Sequence, residues 1–568
     1  MILRLLFVFL SLLVTSLNST ASNDRVVDPE QLSKRFQSEQ QPLSQINAAV
    51  NQSPRVTAKQ PENSESIRFK LEALDIEGIT VEWFGRDSRL YEGLLGEEIS
   101  LTRVYEIAEK LTALYGNEGY ALSKAVVPPQ TIENGHVALR VIEGYINDVQ
   151  FDGAVALDPD VEEQFRAAVT ESKPLKVAVL ERQLLVINDL PGLSLKSVLN
   201  ASETEEGASE LVVNVEETEI SGELSVDNRG SDSVGPVQVI GTITYPNLIS
   251  HGDGLTLTYA TVPNQNELHY INLDYTRRIT VQGSRINVDY SQSYSLPGEQ
   301  FRILDIKTES SSVGISTIHP IVRSRSENLS ISPGLRFSQS ATLKPSGLGV
   351  LQEFRDDLSI AEVNVVYDKS DSFSAGGLSL LALNVSKGLK LFGAGLENRP
   401  AFDPAADFTS VELNARRIQQ FNESWSLDLK LRTQKNFDRL PSGRQFGLGG
   451  EGTVRGYDPS EWAGDSGISA TFQLQKRVPV EDFAGDIQVY GFYDVGKTWR
   501  ESKPGLTDPL TDLAPWGSSV SARSIGIGTN LSLPSEVSLN FEAVNPLDLN
   551  LSGRNEGWKL YARLAVGF

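Results

Sequence analysis

The sequence predicts a transmembrane β-barrel of sixteen antiparallel strands, preceded by two small α+β modules and a short N-terminal helix. Three observations carry this expectation. Long stretches of the C-terminal part alternate strictly between apolar and polar residues, no apolar run is long enough for a spanning helix, and the chain changes character near Glu219. Alternation matters because a barrel wall in a membrane is apolar outside and wet inside, with every backbone group paired within the closed sheet.

Composition narrows the function classes before any motif is considered. Lys plus Arg number 51 against 74 Asp plus Glu, a net charge of −23, so the basic clusters that a nucleic-acid binder needs are missing. Without a single cysteine there is no disulfide, thiolate metal site or cysteine nucleophile. The four histidines, His136, His251, His269 and His319, stand apart without ligand spacing. No metal, cofactor or catalytic constellation is expected.

The elements follow in order. Met1–Arg4 is a short basic end, Leu5–Leu17 an apolar run, and Ser19-Thr20-Ala21 a set of small residues at cleavage positions, so residues 1–21 read as a secretory signal peptide. Asp28-Pro29 opens a helix with Leu32, Arg35, Phe36 and Glu39 at helical intervals, within 22–40. Its apolar face is narrow, which makes it marginal alone in water. Residues 41–67, with Pro42, Pro54 and Pro61 among Gln, Asn and Ser, read as a flexible linker.

Residues 68–144 form the first expected module: a strand at Phe69–Ile76, a helix at Leu101–Tyr115 with Val104, Ile107, Ala108, Leu111 and Leu114 on one face, and a strand at Val137–Ile142. Residues 145–217 repeat the plan with strands at Ile146–Phe151 and Leu211–Val215 and helices at Pro159–Val169 and Lys176–Asn188. Each module should pack helices on one face of a small mixed sheet.

From 218 to 568 the alternation dominates. Trp425, Leu427, Leu429 and Leu431 interleave with Ser426, Asp428, Lys430 and Arg432. At the C-terminus Trp558, Leu560, Ala562, Leu564, Val566 and Phe568 interleave with Lys559, Tyr561, Arg563 and Gly567. Strand candidates begin near 221, 237, 255, 268, 283, 301, 327, 357, 372, 408, 424, 468, 486, 519, 536 and 557. The even number returns both chain ends to the periplasmic side. It also makes the glycine-rich connection of about 434–466 extracellular in origin; its Gly447–Gly452 stretch lacks the Lys-Ser/Thr of a phosphate loop.

Four motifs then carry a resemblance. They are Asn117-Glu118-Gly119-Tyr120 with Val127-Pro128-Pro129-Gln130 and Val141-Ile142-Glu143-Gly144, then Asp227-Asn228-Arg229-Gly230-Ser231, Val454-Arg455-Gly456-Tyr457, and Phe492-Tyr493-Asp494-Val495-Gly496 ahead of a terminal Phe568. In family order, these resemble the outer-membrane polypeptide-transporter superfamily. Within it they are most similar to the two-partner-secretion transporters, the haemolysin and haemagglutinin secretion/activation proteins. The resemblance implies a 16-stranded barrel, a plug helix matching Glu30–Glu39 in position, and two periplasmic polypeptide-transport-associated (POTRA) domains that recognise an unfolded partner.

It also implies that the long loop folds into the lumen and brings Arg455 to Asp494, with Gly456 permitting a backbone turn and Tyr457 packing on the wall. Strand parity bears on the same point: Ile487, Val489, Gly491, Tyr493 and Val495 share one face, so Asp494 takes the lumenal one. Without the resemblance, a solvated loop arginine and a strand-end aspartate fit the residues as well. Gly119, Tyr120, Pro128, Pro129 and Gln130 mark a candidate partner-recognition surface, and the same residues suit stabilisation of the module. Trp558, Leu560, Leu564, Val566 and Phe568 form the expected C-terminal signal read by the barrel assembly machinery. The implied partners are a large secreted exoprotein (adhesin, haemolysin or similar) and outer-membrane lipids. The alternatives are a barrel assembly factor or a passive porin, and a porin would leave the two modules without a role.

Overall fold

The helix of the first module shows how sequence becomes structure here. In the computed structural model, α1 (Leu101–Asn117) buries Val104, Ile107, Ala108, Leu111 and Tyr115, the i, i+3, i+4 spacing of one helix face. That face covers a mixed sheet in which β2 (Ala73–Glu77) runs parallel to β5 (His136–Ile142) and β4 (Lys124–Val126) antiparallel to it. A separate pair, β1 (Arg68–Lys70) with β3 (Glu98–Ser100), completes the module. The structure describes residues 63–81, 90–153, 156–217, 220–264, 267–298, 306–345, 351–397, 406–480, 483–501, 518–550, 553–554 and 557–568. The expected signal peptide, plug helix and most of the linker lie outside the described residues.

The second module repeats the arrangement. β6 (Tyr145–Gly153) is parallel to β8 (Ala208–Glu217), and β7 (Leu193–Ala201) is antiparallel to β8. Helices α2 (Pro159–Thr170) and α3 (Val177–Asn188) contribute Val161, Phe165, Val169, Leu180 and Ile187 to a core with Leu211 and Val213. β7 has no counterpart in the sequence reading. Only its first three residues alternate in burial and the other six are exposed, so period-2 patterning barely registers there. Both modules fall in one unit, chiefly Ile46–Thr218, and the chain from Glu219 onward makes up most of the other.

That second unit is a closed antiparallel barrel. Its first eight strands are β9 (Ser221–Asp227), β10 (Gln238–Pro246), β11 (Asp253–Thr261), β12 (Leu268–Arg278), β13 (Arg285–Ser295), β14 (Lys307–Arg323), β15 (Glu327–Pro345) and β16 (Leu351–Asp371). The other eight are β17 (Gly377–Leu389), β19 (Thr409–Gln420), β20 (Trp425–Asn436), β23 (Ser466–Arg477), β24 (Asp486–Trp499), β25 (Ser519–Leu533), β26 (Val537–Pro546) and β27 (Lys559–Gly567). A three-residue strand, β18 (Gly395–Glu397), extends the wall beside β16.

Burial in the barrel is inverted relative to a globular core. Ile468, Phe472, Leu474, Ile525 and Ile527 are exposed on the outer face, while Asp428, Gln473, Asp494 and Ser524 are buried on the inner one. Among the described residues no helix is long and apolar enough to cross a membrane; the strands do so. The seam between the first and last strands is short: β9 and β27 share five paired positions, from Glu223–Gly567 to Asp227–Arg563. The β15–β16 ladder runs from Glu327–Lys369 to Pro345–Leu351.

Candidate functional site in the barrel lumen

The connection between β20 and β23 folds back among the lumenal side chains. Within it β21 (Phe446–Leu448) and β22 (Trp462–Gly464) pair antiparallel, with Leu448 opposite Trp462. Phe446, Leu448, Val454, Tyr457 and Trp462 cluster with Ala522 of the wall. The wall carries glycines where this cluster presses on it. A Cβ on Gly496 would lie 2.4 Å from Leu448 Cδ1, and one on Gly467 would lie 2.1 Å from the Phe446 ring.

Arg455 projects from this loop into a carboxylate site. Its Nε and Nη2 donate to the two oxygens of Asp494 at 2.9 and 3.0 Å, and its backbone N–H donates at 3.2 Å. Thr471 and Ser524 hydroxyls donate to the same carboxylate at 2.9 and 3.2 Å, and Asp494 is fully buried. A bidentate guanidinium–carboxylate pair of this kind combines charge-assisted bonds with a fixed geometry. The remaining nitrogen, Nη1, donates to Gln473 and Glu542 at 3.0 Å each, and the guanidinium lies over the Phe492 ring.

Glu542 on β26 extends the site to the barrel seam. It accepts from Tyr490 at 2.9 Å and from Arg229 Nη2 at 2.7 Å, so two arginines share one carboxylate. Arg229 also donates to Asn540 at 2.9 Å, and its Nε lies 3.6 Å from Glu451 of the loop. Next to it, Asn228 carries the seam ladder past β9: its side chain donates to Leu560 O at 2.9 Å and accepts from Ala562 N at 2.7 Å. The sequence reading missed Glu542 and Gln473. Gln473 lies on the polar side of the alternation Ile468, Ala470, Phe472, Leu474 and Glu542 on that of Val537, Leu539, Phe541, and a lumenal carboxylate within a strand was the available signal.

Tyr457 fixes the loop on the other side. Its hydroxyl lies 3.1 and 3.0 Å from the carbonyls of Arg523 and Asp548 and accepts from Asp548 N at 2.9 Å. Burial pushes its phenol up to about 12, so it stays neutral in these bonds. Gly456 lies in a backbone turn, as expected: Tyr457 N–H donates to Val454 O at 3.4 Å across Arg455 and Gly456. The left-handed residues of the loop are Gly449, Gly450 and Ser460, with φ of +118°, +88° and +53°. Gly456 also allows close approach, since a Cβ there would come within 2.9 Å of Ser524 Cβ and 3.0 Å of Pro546 Cα.

The other candidate residues occupy different places. Gly119 (φ +88°) and Tyr120 terminate α1: Tyr120 N–H donates to Tyr115 O at 2.8 Å and Gly119 N–H to Gly116 O at 3.1 Å. This is a Schellman cap, and the Tyr115–Tyr120 ring contact at 6.0 Å supplies its hydrophobic closure. Gly119 O also accepts from Val177 N at 2.9 Å, tying the two modules. Pro128 has no N–H with which to continue the β4–β5 ladder past Val126–Arg140. The side-chain amide of Gln130 fills that place, donating to Ala138 O at 2.8 Å and accepting from Ala138 N at 2.7 Å, while Pro129 is exposed. At the C-terminus Trp558, Leu560, Val566 and Phe568 are exposed on the outer face, Leu564 is half-buried, and the Phe568 main chain pairs with Gly222.

Comparison with known proteins places this geometry. A family model described as "Haemolysin secretion/activation protein ShlB/FhaC/HecB" matches residues 207–523, and a ShlB-type POTRA domain matches 69–144. The heme/hemopexin transporter protein HuxB of Haemophilus influenzae is 24% identical over 542 residues, covering 92% of this chain and 91% of HuxB. The outer membrane transporter CdiB of Escherichia coli is 22% identical over 574 residues, covering 97% and 92%. The solved structure of CdiB from Escherichia coli superimposes with a TM-score of 0.73 at 20% identity, over 96% of this chain and 100% of that one. With more than half of the chain matched, including the stretch that joins seam, lumenal loop and Asp494, this protein belongs to the haemolysin secretion/activation family of outer-membrane two-partner secretion transporters.

Proposed function

We propose that the barrel conducts a large unfolded exoprotein, its dedicated partner, from the periplasm to the cell surface, and that the β20–β23 loop obstructs the lumen until that partner engages. The observation that carries this reading is the buried Arg455–Asp494–Glu542 site, which holds an extracellular connection inside a closed barrel. The two modules receive the partner in extended form, by strand addition at a sheet edge or in a groove beside a helix. Gly119, Tyr120 and Gln130 serve that surface by holding its shape, as their bonds within the modules support. The chain acts as a conduit and not as an enzyme: it needs no nucleotide or cofactor, and folding of the partner outside draws the transfer forward. Trp558, Leu560, Leu564, Val566 and Phe568 present the barrel to the assembly machinery and then to outer-membrane lipid.

Deleting this protein and following surface delivery of a large secreted protein encoded beside it tests the reading. Export should cease and return with the full-length chain. Unchanged export would refute it.

A further inference from the structure

The lumenal loop meets the wall a second time, on strands other than those of the Arg455 site. Before β21 the chain passes through Leu440 and a single 3-10 turn, Ser442–Arg444. Leu440 is 1% exposed and packs with Leu358 and Ile360 of β16 and with Ala406 and Phe408 ahead of β19. Glu362 follows on the same face of β16, since Val363 is exposed on the outer one. Arg444 Nη2 lies 3.4 Å from Glu362 Oε1, and its guanidinium lies 6.0 Å from the centre of the Phe408 ring.

The contact continues across the wall. Glu362 is 3.6 Å from Arg336 Nε on β15, and Arg336 grips Asp289 of β13 at 2.7 and 3.1 Å. The Arg444 and Glu362 side chains are only 12% and 14% exposed, so this pair is much less screened than a surface pair. A Cβ on Gly314 would lie 2.2 Å from Asp289 Oδ1, so β14 has a glycine where the chain of charges crosses it. Asp465, at the far end of the loop, accepts the Leu440 N–H at 2.9 Å and so braces both ends of the loop together.

We propose that Leu440 and Arg444 form a second anchor for the lumenal loop, with Arg444 as a positioning residue, so that the loop is held at two independent points. This rests on the reading of the loop as an obstruction. A segment held at two points behaves as an intramolecular bivalent ligand: when one contact opens, the other keeps it at high effective concentration and it closes again. Breaking either contact alone therefore leaves the lumen obstructed for most of the time, and breaking both leaves the loop on its Tyr457 bonds and apolar cluster, so that it opens far more often.

Single-channel conductance of the full-length protein in planar bilayers tests this, with heat-modifiable migration on gels as the check that each barrel is folded. Arg455→Ala and Arg444→Met should each raise the open fraction by about a few-fold, and the double variant by about the product of the two, on the order of tenfold, because contacts that share no partner add in free energy. Arg444→Met keeps the length of the side chain and loses the charge. In the Arg455→Ala background Arg444→Lys should stay closed like the single variant, while Glu362→Gln should open like Arg444→Met. A double variant no more open than Arg455→Ala alone, or a lysine variant as open as the methionine one, overturns the second anchor. A wild-type pore already conducting at full lumen width refutes the obstruction itself, which separates the two failures.

Discussion

Replacing Asp494 by Asn changes the charge of the lumenal site while nearly preserving its shape. Asp494 is 0% exposed and receives two guanidinium bonds at 2.9 and 3.0 Å. Bonds to a charged acceptor contribute about 1.5–3 kcal/mol each and neutral ones about 0.5–1.5, so the substitution costs about 1 kcal/mol per guanidinium bond. The new amide also points donors at a site already filled by donors from Arg455, Thr471 and Ser524, which adds about 1 kcal/mol. Glu542 remains 3.0 Å from Nη1, so the guanidinium keeps one carboxylate and the full cost of an orphaned buried charge is not incurred. The sum of about 3 kcal/mol corresponds to about a hundredfold shift from docked to undocked loop tip. The chain contains no cysteine, so spin labels at Gly452→Cys and Lys497→Cys report the tip-to-wall distance without background. A cysteine at 452 has room, its Cβ meeting nothing nearer than Arg432 Nη1 at 3.7 Å. Asp494→Asn should populate long distances, whereas Thr471→Val, which loses a bond between two wall residues and none of the guanidinium's, should shift the ratio by less than about fivefold. Equal distance distributions in the wild type and Asp494→Asn would refute the electrostatic account of the lock.

Gly456→Ala places a methyl within 2.9 Å of Ser524 Cβ and should undock the tip at a cost of about 1–3 kcal/mol, read by the same label pair. Asn228→Ala removes the bonds at 2.9 and 2.7 Å that continue the seam past β9, and should lower the temperature at which the barrel loses its fast-migrating folded form on gels. An unchanged temperature would assign seam stability to the main-chain pairing of β9 and Gly222 with β27 and Phe568. In the first module, burial and the Glu143 carboxylate at 2.8 Å hold the Tyr115 phenol above its ordinary value of 10.0. Because the neutral phenol is favoured in the fold, its contribution is complete below the unfolded value and is lost as pH rises through the folded one. Pulse proteolysis should therefore show the module weakening from about pH 10 upward, and Tyr115→Phe should flatten that slope. A slope that persists in Tyr115→Phe would assign it to other groups.

Period-2 alternation is a local property, so the sequence alone determined which residues form the barrel strands and which face each presents. Asp494 could be placed on the inner face because Tyr493 and Val495 belong to the outer one. The same logic located α1 from its apolar spacing. β7 escaped because six of its nine residues are exposed, leaving no contrast to detect. Which inner faces meet was decided by the tertiary structure. Arg229 and Glu542 stand 313 positions apart and converge only because the barrel closes β27 onto β9. The partnership of Arg444 with Glu362 depends on how deep the loop inserts and on the registers of the strands between, which no local pattern records. Gly456 shows the same division: the sequence marks it as a turn glycine in a loop, and only the packed wall of Ser524 and Pro546 shows that the turn also needs a residue without a Cβ for close approach.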